Sequence, residues 1–134
     1  CGLRVTSDNP EKISFNIILN SQIYGVTHTE LVLAAFVSLL RNSDNFNLAE
    51  WVKYKDLVSE EDLEAVKKLA VILEIAVSLD CTKFNNVVDI SCDILGDSVI
   101  MKTITKAEVP LEIMQAKLAS NEFKKAYNKN LEIL

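Results

Sequence analysis

Between Leu63 and Asp80 the apolar positions are Leu63, Val66, Leu69, Ala70, Ile72, Leu73, Ile75, Ala76, Val77 and Leu79. They recur at helical spacing and then overfill a single face. This predicts a long helix buried almost all round in its second half, with Ile72 and Leu73 on its buried side and Asp80 as a candidate buried polar residue at its end. Ser59-Glu60-Glu61-Asp62 marks the start: a hydroxyl cap is followed three residues later by a carboxylate, and acids fill the turn where the helix dipole favours them. Upstream, Asn9-Pro10-Glu11 reads as a helix opening in which Asn9 caps, Pro10 takes the first helical position and Glu11 faces the positive end, with the helix running to about Ser21. Thr27-His28-Thr29-Glu30 is a capping box for an apolar helix ending near Arg41. Asn42 to Asn47 is polar loop chemistry, and a short helix with Leu48, Trp51 and Val52 on one face precedes the long one.

After Asp80 the period changes to two. Val88, Ile90, Cys92 and Ile94 alternate with Asp89, Ser91 and Asp93, as in a half-buried strand. Gly96-Asp97 is a two-residue hairpin turn that would set Ile94 opposite Val99, Cys92 opposite Met101 and Ile90 opposite Thr103. A further helix starts near Pro110, with Leu111, Met114, Leu118 and Phe123 as its buried set, and breaks at Asn128-Lys129-Asn130. Leu131 to Leu134 is the last strand, returning to the hairpin. The expected fold is mainly α with a small α+β C-terminal unit: a helical bundle, then a β-hairpin, a helix and a final strand. The composition shift near Cys81 to Asn86 places the seam, so that 1–80 forms the helical domain and 81–134 the small α+β domain.

The 134 residues are 49% apolar, with three glycines and two prolines, which excludes a disordered chain. The longest nearly unbroken apolar run, Leu31 to Leu40, is about half of what a bilayer needs, so no membrane partner is expected. A net charge of −5 argues against nucleic acid as a partner. Three cysteines, Cys1, Cys81 and Cys92, lack the close pairing of a zinc site and read as reduced thiols of a cytoplasmic protein. The basic residues group locally, as Lys53 with Lys55, Lys67 with Lys68, and Lys124 and Lys125 with Lys129. Such groups are ordinarily solvated helix faces.

Three segments carry a resemblance. The run Lys68 to Asp80, KLAVILEIAVSLD, is similar to a K-L-A-x-I-L-R-x-A-D-x-L-D segment of the Ppx/GppA family, which joins exopolyphosphatases to guanosine pentaphosphate phosphatases. Lys68, Leu69, Ala70, Ile72, Leu73, Ala76, Leu79 and Asp80 match, while Glu74 stands where Arg is usual and Val77 where Asp is usual. Cys1-Gly2-Leu3-Arg4 resembles the G-L-R-E-G segment ending that family's catalytic half, with Val5 and Thr6 in place of Glu and Gly. Ile17 to Glu30 resembles the family's lead into a Glu-capped helix, and the three occur in the family's order. The resemblance implies an HD-like helical domain, of the phosphodiesterase-like type, followed by a small terminal domain. Residues 1–8 would then be a remnant of the linker from the catalytic half, and Cys1 an interior residue of a longer enzyme rather than a lipidated mature end. The implied partners are the protein's own N-terminal catalytic half, a second copy in a homodimer, and polyphosphate; the implied divalent cation belongs to that missing half.

Candidate chemistry within the chain is sparse. An HD-type metal site needs several His and Asp side chains around one or two cations, and the chain has one histidine, His28, which the capping box already explains. No metal and no cofactor are expected in this fragment, and no catalytic residue is assigned. Cys81 and Cys92 sit beside apolar sequence with no second histidine to generate a thiolate. The candidate phosphate contacts are Lys124, Lys125 and Lys129. The resemblance implies the noncatalytic C-terminal module of an exopolyphosphatase-like phosphoanhydride hydrolase, inactive alone, that contributes domain or dimer packing and a part of the polyphosphate channel. Two alternatives remain open: a structural interaction domain without phosphate binding, and a diverged HD-type phosphohydrolase. The parent substrate, polyphosphate or guanosine pentaphosphate, is open as well.

Overall fold

The computed structural model describes residues 9–41 and 48–134. The expectations for the linker remnant at 1–8 and the polar loop at 42–47 lie outside the described residues. The chain divides into two compact units, Cys1–Ala70 and Val71–Leu134. It is a mixed protein, mostly helical, with one small sheet in the second unit.

The first unit holds α1 (Pro10–Leu19), α2 (His28–Leu40), α3 (Leu48–Val52) and the opening of α4 (Glu60–Ser78). Phe15, Val32, Ala35, Phe36, Leu39, Trp51, Val58 and Val66 form its buried core. Phe36 is the hub: its ring meets Phe15 at 5.1 Å, Trp51 at 5.0 Å and Tyr54 at 5.7 Å, each edge to face. That geometry sets the positive edge of one ring on the negative face of another. Val52 does not share the buried face with Trp51; it is exposed, because successive helical residues point about 100° apart.

Both capping boxes form. The Thr27 hydroxyl accepts from Glu30 N–H at 3.2 Å, and the Glu30 carboxylate accepts from the Thr27 amide and hydroxyl, each at 2.8 Å. Ser59 and Asp62 repeat the arrangement at the head of α4, again at 3.2 and 2.8 Å. These donors hold both carboxyls below their ordinary pKa. The cap expected of Asn9 is absent. Its backbone is left-handed at φ 54°, which Asn tolerates, and its side chain makes no capping bond.

In the second unit, β1 (Val87–Leu95) and β2 (Ser98–Thr105) are an antiparallel hairpin; α5 (Pro110–Leu118) and α6 (Ser120–Tyr127) follow, and β3 (Asn130–Ile133) returns parallel to β2, giving the order β1-β2-β3. The hairpin register is the expected one, Ile94 opposite Val99, Cys92 opposite Met101 and Ile90 opposite Thr103, with Gly96 in the turn at φ 55°. Asn128, left-handed at φ 53°, ends α6 and lets the chain enter β3. The core is Ile75, Leu79, Val99, Met101, Ala116, Ala119, Phe123 and Ile133.

Three expected burials are corrected. Strand β1 is exposed along nearly its whole length, because it is an edge strand while α5 and α6 pack on β3 at the other side of the sheet. The helix from Pro110 is two helices divided at Ala119, and its inward face carries Glu112, Ala116, Ala119 and Phe123. Alanine lets a helix approach the sheet closely, so Leu111, Met114 and Leu118 are turned to solvent, Leu118 with 71% of its surface exposed. Along α4 and just past its end the buried apolar residues are Val66, which belongs to the first core, Ala70, and Ile75 and Leu79, which belong to the second; Leu73 is half-buried, and Ile72 is 42% exposed.

Two predictions follow from this packing. Phe36→Ala should cost about 3–5 kcal/mol in urea unfolding followed by the fluorescence of the sole tryptophan, Trp51, whereas Ile72→Ala should cost about 1 kcal/mol or less. Acid should weaken the fold: a carboxyl with a lowered folded pKa stabilises above its unfolded value and loses that contribution as pH falls through the folded one. The paired variant Thr27→Ala, Ser59→Ala, which removes one donor to each carboxylate, should show a smaller loss of urea midpoint between neutral and acid pH than the parent.

Candidate functional site

The three lysines singled out in the sequence lie at the C-terminal end of α6 and the start of β3. Lys124 and Lys125 are consecutive helical residues, so their side chains diverge, and Lys129 follows the left-handed Asn128. Lys125 Nζ is 2.7 Å from Glu122 Oε1, and Lys129 Nζ donates to the Gly96 carbonyl at 2.6 Å, tying α6 to the hairpin turn. Lys124 is exposed. An anion arriving here meets one solvated ammonium and two already committed to internal acceptors.

Asp80 follows α4. Its Oδ2 lies 3.2 Å from Lys83 Nζ, while Oδ1 is enclosed without a hydrogen-bond partner. Lys83 and Asn85 are both left-handed, at φ 63° and 52°, so the turn after Asp80 is tightly wound. His28 is the first residue of α2, exposed beside the capping box. It borders a concavity of about 370 Å³ formed by the loop after α1 and the first turn of α2, whose wall also includes Ser21, Tyr24, Thr27 and Leu31. The Thr27 hydroxyl is spent on Glu30, and Tyr24 projects fully into solvent, so polar groups do not converge there.

Among the described residues no three His, Cys, Asp or Glu side chains are grouped to hold a metal ion. An HD-type centre would need His28 and Asp80 to act with further ligands, and one is a solvated helix-start residue while the other faces Lys83. This donor set does not fit such a centre. Cys81 and Cys92 are free thiols, and both are exposed rather than in the core.

Two buried carboxylates were not singled out in the sequence as buried. Glu11 is paired with Arg41 at 2.9 Å, joining the start of α1 to the end of α2. Glu112 accepts a hydrogen bond from Thr82 Oγ1, joining α5 to the turn after α4. A signal existed in both cases. Glu11 shares a helical face with Ser14 and Phe15, and Glu112 with Ala116 and Ala119, so the spacing of the true inward face includes the acid. Both pairs join segments distant in sequence, which is a structural role.

No family model, curated protein or solved structure matches this chain. No helix among the described residues is long and apolar enough to cross a membrane.

Arg41→Met, which leaves the Glu11 carboxylate buried without its partner, should destabilise by about 3 kcal/mol in urea unfolding. The double variant Glu11→Leu, Arg41→Met should recover much of that loss, since an apolar pair of similar volume carries no desolvation cost.

Proposed function

We propose that this chain is the C-terminal, noncatalytic module of an exopolyphosphatase-like phosphoanhydride hydrolase. In this reading an HD-like helical unit and a small α+β unit pack against the catalytic half or a second copy and flank the path of a polyphosphate chain. The observation that carries it is the apolar surface left outside both cores: Leu111, Met114 and Leu118 along α5, and Leu69 and Ile72 along α4. Contiguous apolar helix faces of this kind mark surfaces that are covered by another protein surface. The ordered matches in the sequence suggest the family, and two of the matched residues, Ala70 and Leu79, are buried.

A structural interaction domain without phosphate binding is the second reading, and it is favoured by the internal engagement of Lys125 and Lys129. The diverged HD-type phosphohydrolase has the least support, because one histidine is too few for its ligand set.

The chain should release no phosphate from polyphosphate or guanosine pentaphosphate in the presence of magnesium; release above a protein-free blank that a chelator abolishes would overturn the noncatalytic assignment. Polyphosphate should bind weakly at low ionic strength and dissociate as salt is raised, since only exposed ammonium groups on an acidic protein attract it. Replacing Lys124, Lys125 and Lys129 together by Gln should remove that binding. Absence of binding even at low salt would favour the second reading, and tight binding that survives salt would require a preorganised anion pocket.

A further inference from the structure

Among the described residues strand β1 is the open edge of the sheet, and its outward backbone groups can be assigned from the hairpin. The two-residue turn closes on the pair Leu95 and Ser98, and hydrogen-bonded pairs then alternate back along the ladder. Leu95, Asp93 and Ser91 therefore direct their amides and carbonyls to β2, while Ile94, Cys92 and Ile90 direct theirs away from the sheet. The far side of β2 obeys the same alternation: Thr103 N–H donates to Leu134 O, and Leu134 N–H donates to Met101 O, each at 2.8 Å. The outward residues Ile90, Cys92 and Ile94 are also apolar. Their side chains continue the sheet face that buries Val99, Met101 and Ile133, yet Ile90 and Ile94 are 45% and 68% exposed and Cys92 is exposed too.

We propose that the occupant of this edge is a second copy of the same chain, its β1 antiparallel to the first across a two-fold axis at Cys92. The proposal rests on the packing half of the function given above and needs no phosphate. Charge selects the copy and the register. With Cys92 on the axis, Ile90 faces Ile94 of the second copy and Ile94 faces its Ile90, Ser91 faces Asp93, and Asp89 faces Leu95. A two-fold contact repeats each pair, so both isoleucine pairs form together. Moving the axis to Ser91 puts Asp89 opposite Asp93, and moving it to Asp93 puts Asp93 opposite itself; like charges directly opposite are destabilising. An axis at Ile90 runs into the bulge between Val87 and Asp89, and one at Ile94 overlaps only the last residues of the strand. The charges that guard most edge strands are already answered within the copy. Asp93 is paired with Lys102 at 2.8 Å, and the Asp89 carboxylate accepts from its neighbour Ile90 N–H at 2.8 Å, a bond that pairing would replace with a ladder bond. The product is a continuous six-stranded sheet, with the two β1 strands at its centre and their isoleucines shielding one another.

The test uses the full chain in analytical ultracentrifugation together with thiol cross-linking. The chain should sediment as a dimer, and Ile94→Lys should raise the dimer dissociation constant by about tenfold or more without changing the far-ultraviolet circular dichroism. Because β1 is exposed in the single copy, that variant retains both cores. As a check independent of its folding, the Cys1→Ser, Cys81→Ser chain keeps Cys92 as its only thiol and should form a covalent dimer with a short thiol-specific cross-linker. Either a monomer at every concentration reached, or a dimer in which Cys92 does not cross-link, overturns the proposal. A monomer would leave the noncatalytic, polyphosphate-flanking reading to be judged by its own binding test.

Discussion

A helix that packs against one neighbouring layer turns only a single stripe of its surface inward, and this chain has more apolar residues than its stripes can take. Along α4, Val66, Ala70 and Ile75 are buried, and the surplus, Leu69 and Ile72, is left outside. On α5 the surplus is larger, because Ala116 and Ala119 occupy the inward positions and the leucines do not. The sheet repeats the theme: its apolar face is covered over β2 and β3 and bare over β1. The two cores and the exposed apolar surfaces thus follow from the same limit. Both cores form while apolar surface is left outside them.

The polar groups that are buried hold distant segments together. Glu11 with Arg41, and Glu112 with Thr82, each place a carboxylate in a low-dielectric site where an unmatched partner would be costly. The ion pair of Glu11 with Arg41 adds little to net stability while both partners are present, because desolvation offsets its attraction. The two capping boxes act locally by contrast, satisfying amides that a helix start always leaves without partners.

This distribution weighs on function. Among the described residues no metal-ligating cluster forms and Lys125 and Lys129 bond internally, while apolar residues outside the cores include the faces along α4 and α5. Such a division of labour suits a module that positions other elements. It is in keeping with the noncatalytic module proposed above.

What the sequence determined by itself was local. Thr27 with Glu30 and Ser59 with Asp62 announced two helix starts, and Gly96-Asp97 with its flanking alternation set the hairpin register residue by residue, since each depends on neighbours a few positions away. Periodicity also located α4 and the helical stretch after Pro110. Only the tertiary structure decided which face of those helices turned inward, because leucine and alanine faces of α5 are both consistent with a helical period and the choice rests on how closely β3 can approach. The same holds for β1, whose alternation describes a strand with one apolar face but carries no information on whether a helix lies over it. The partners of Glu11, Glu112 and Lys129 were likewise decided by the tertiary structure, since they lie 30, 30 and 33 residues away: a helical period can place the acids on an inward face but cannot say what they meet there.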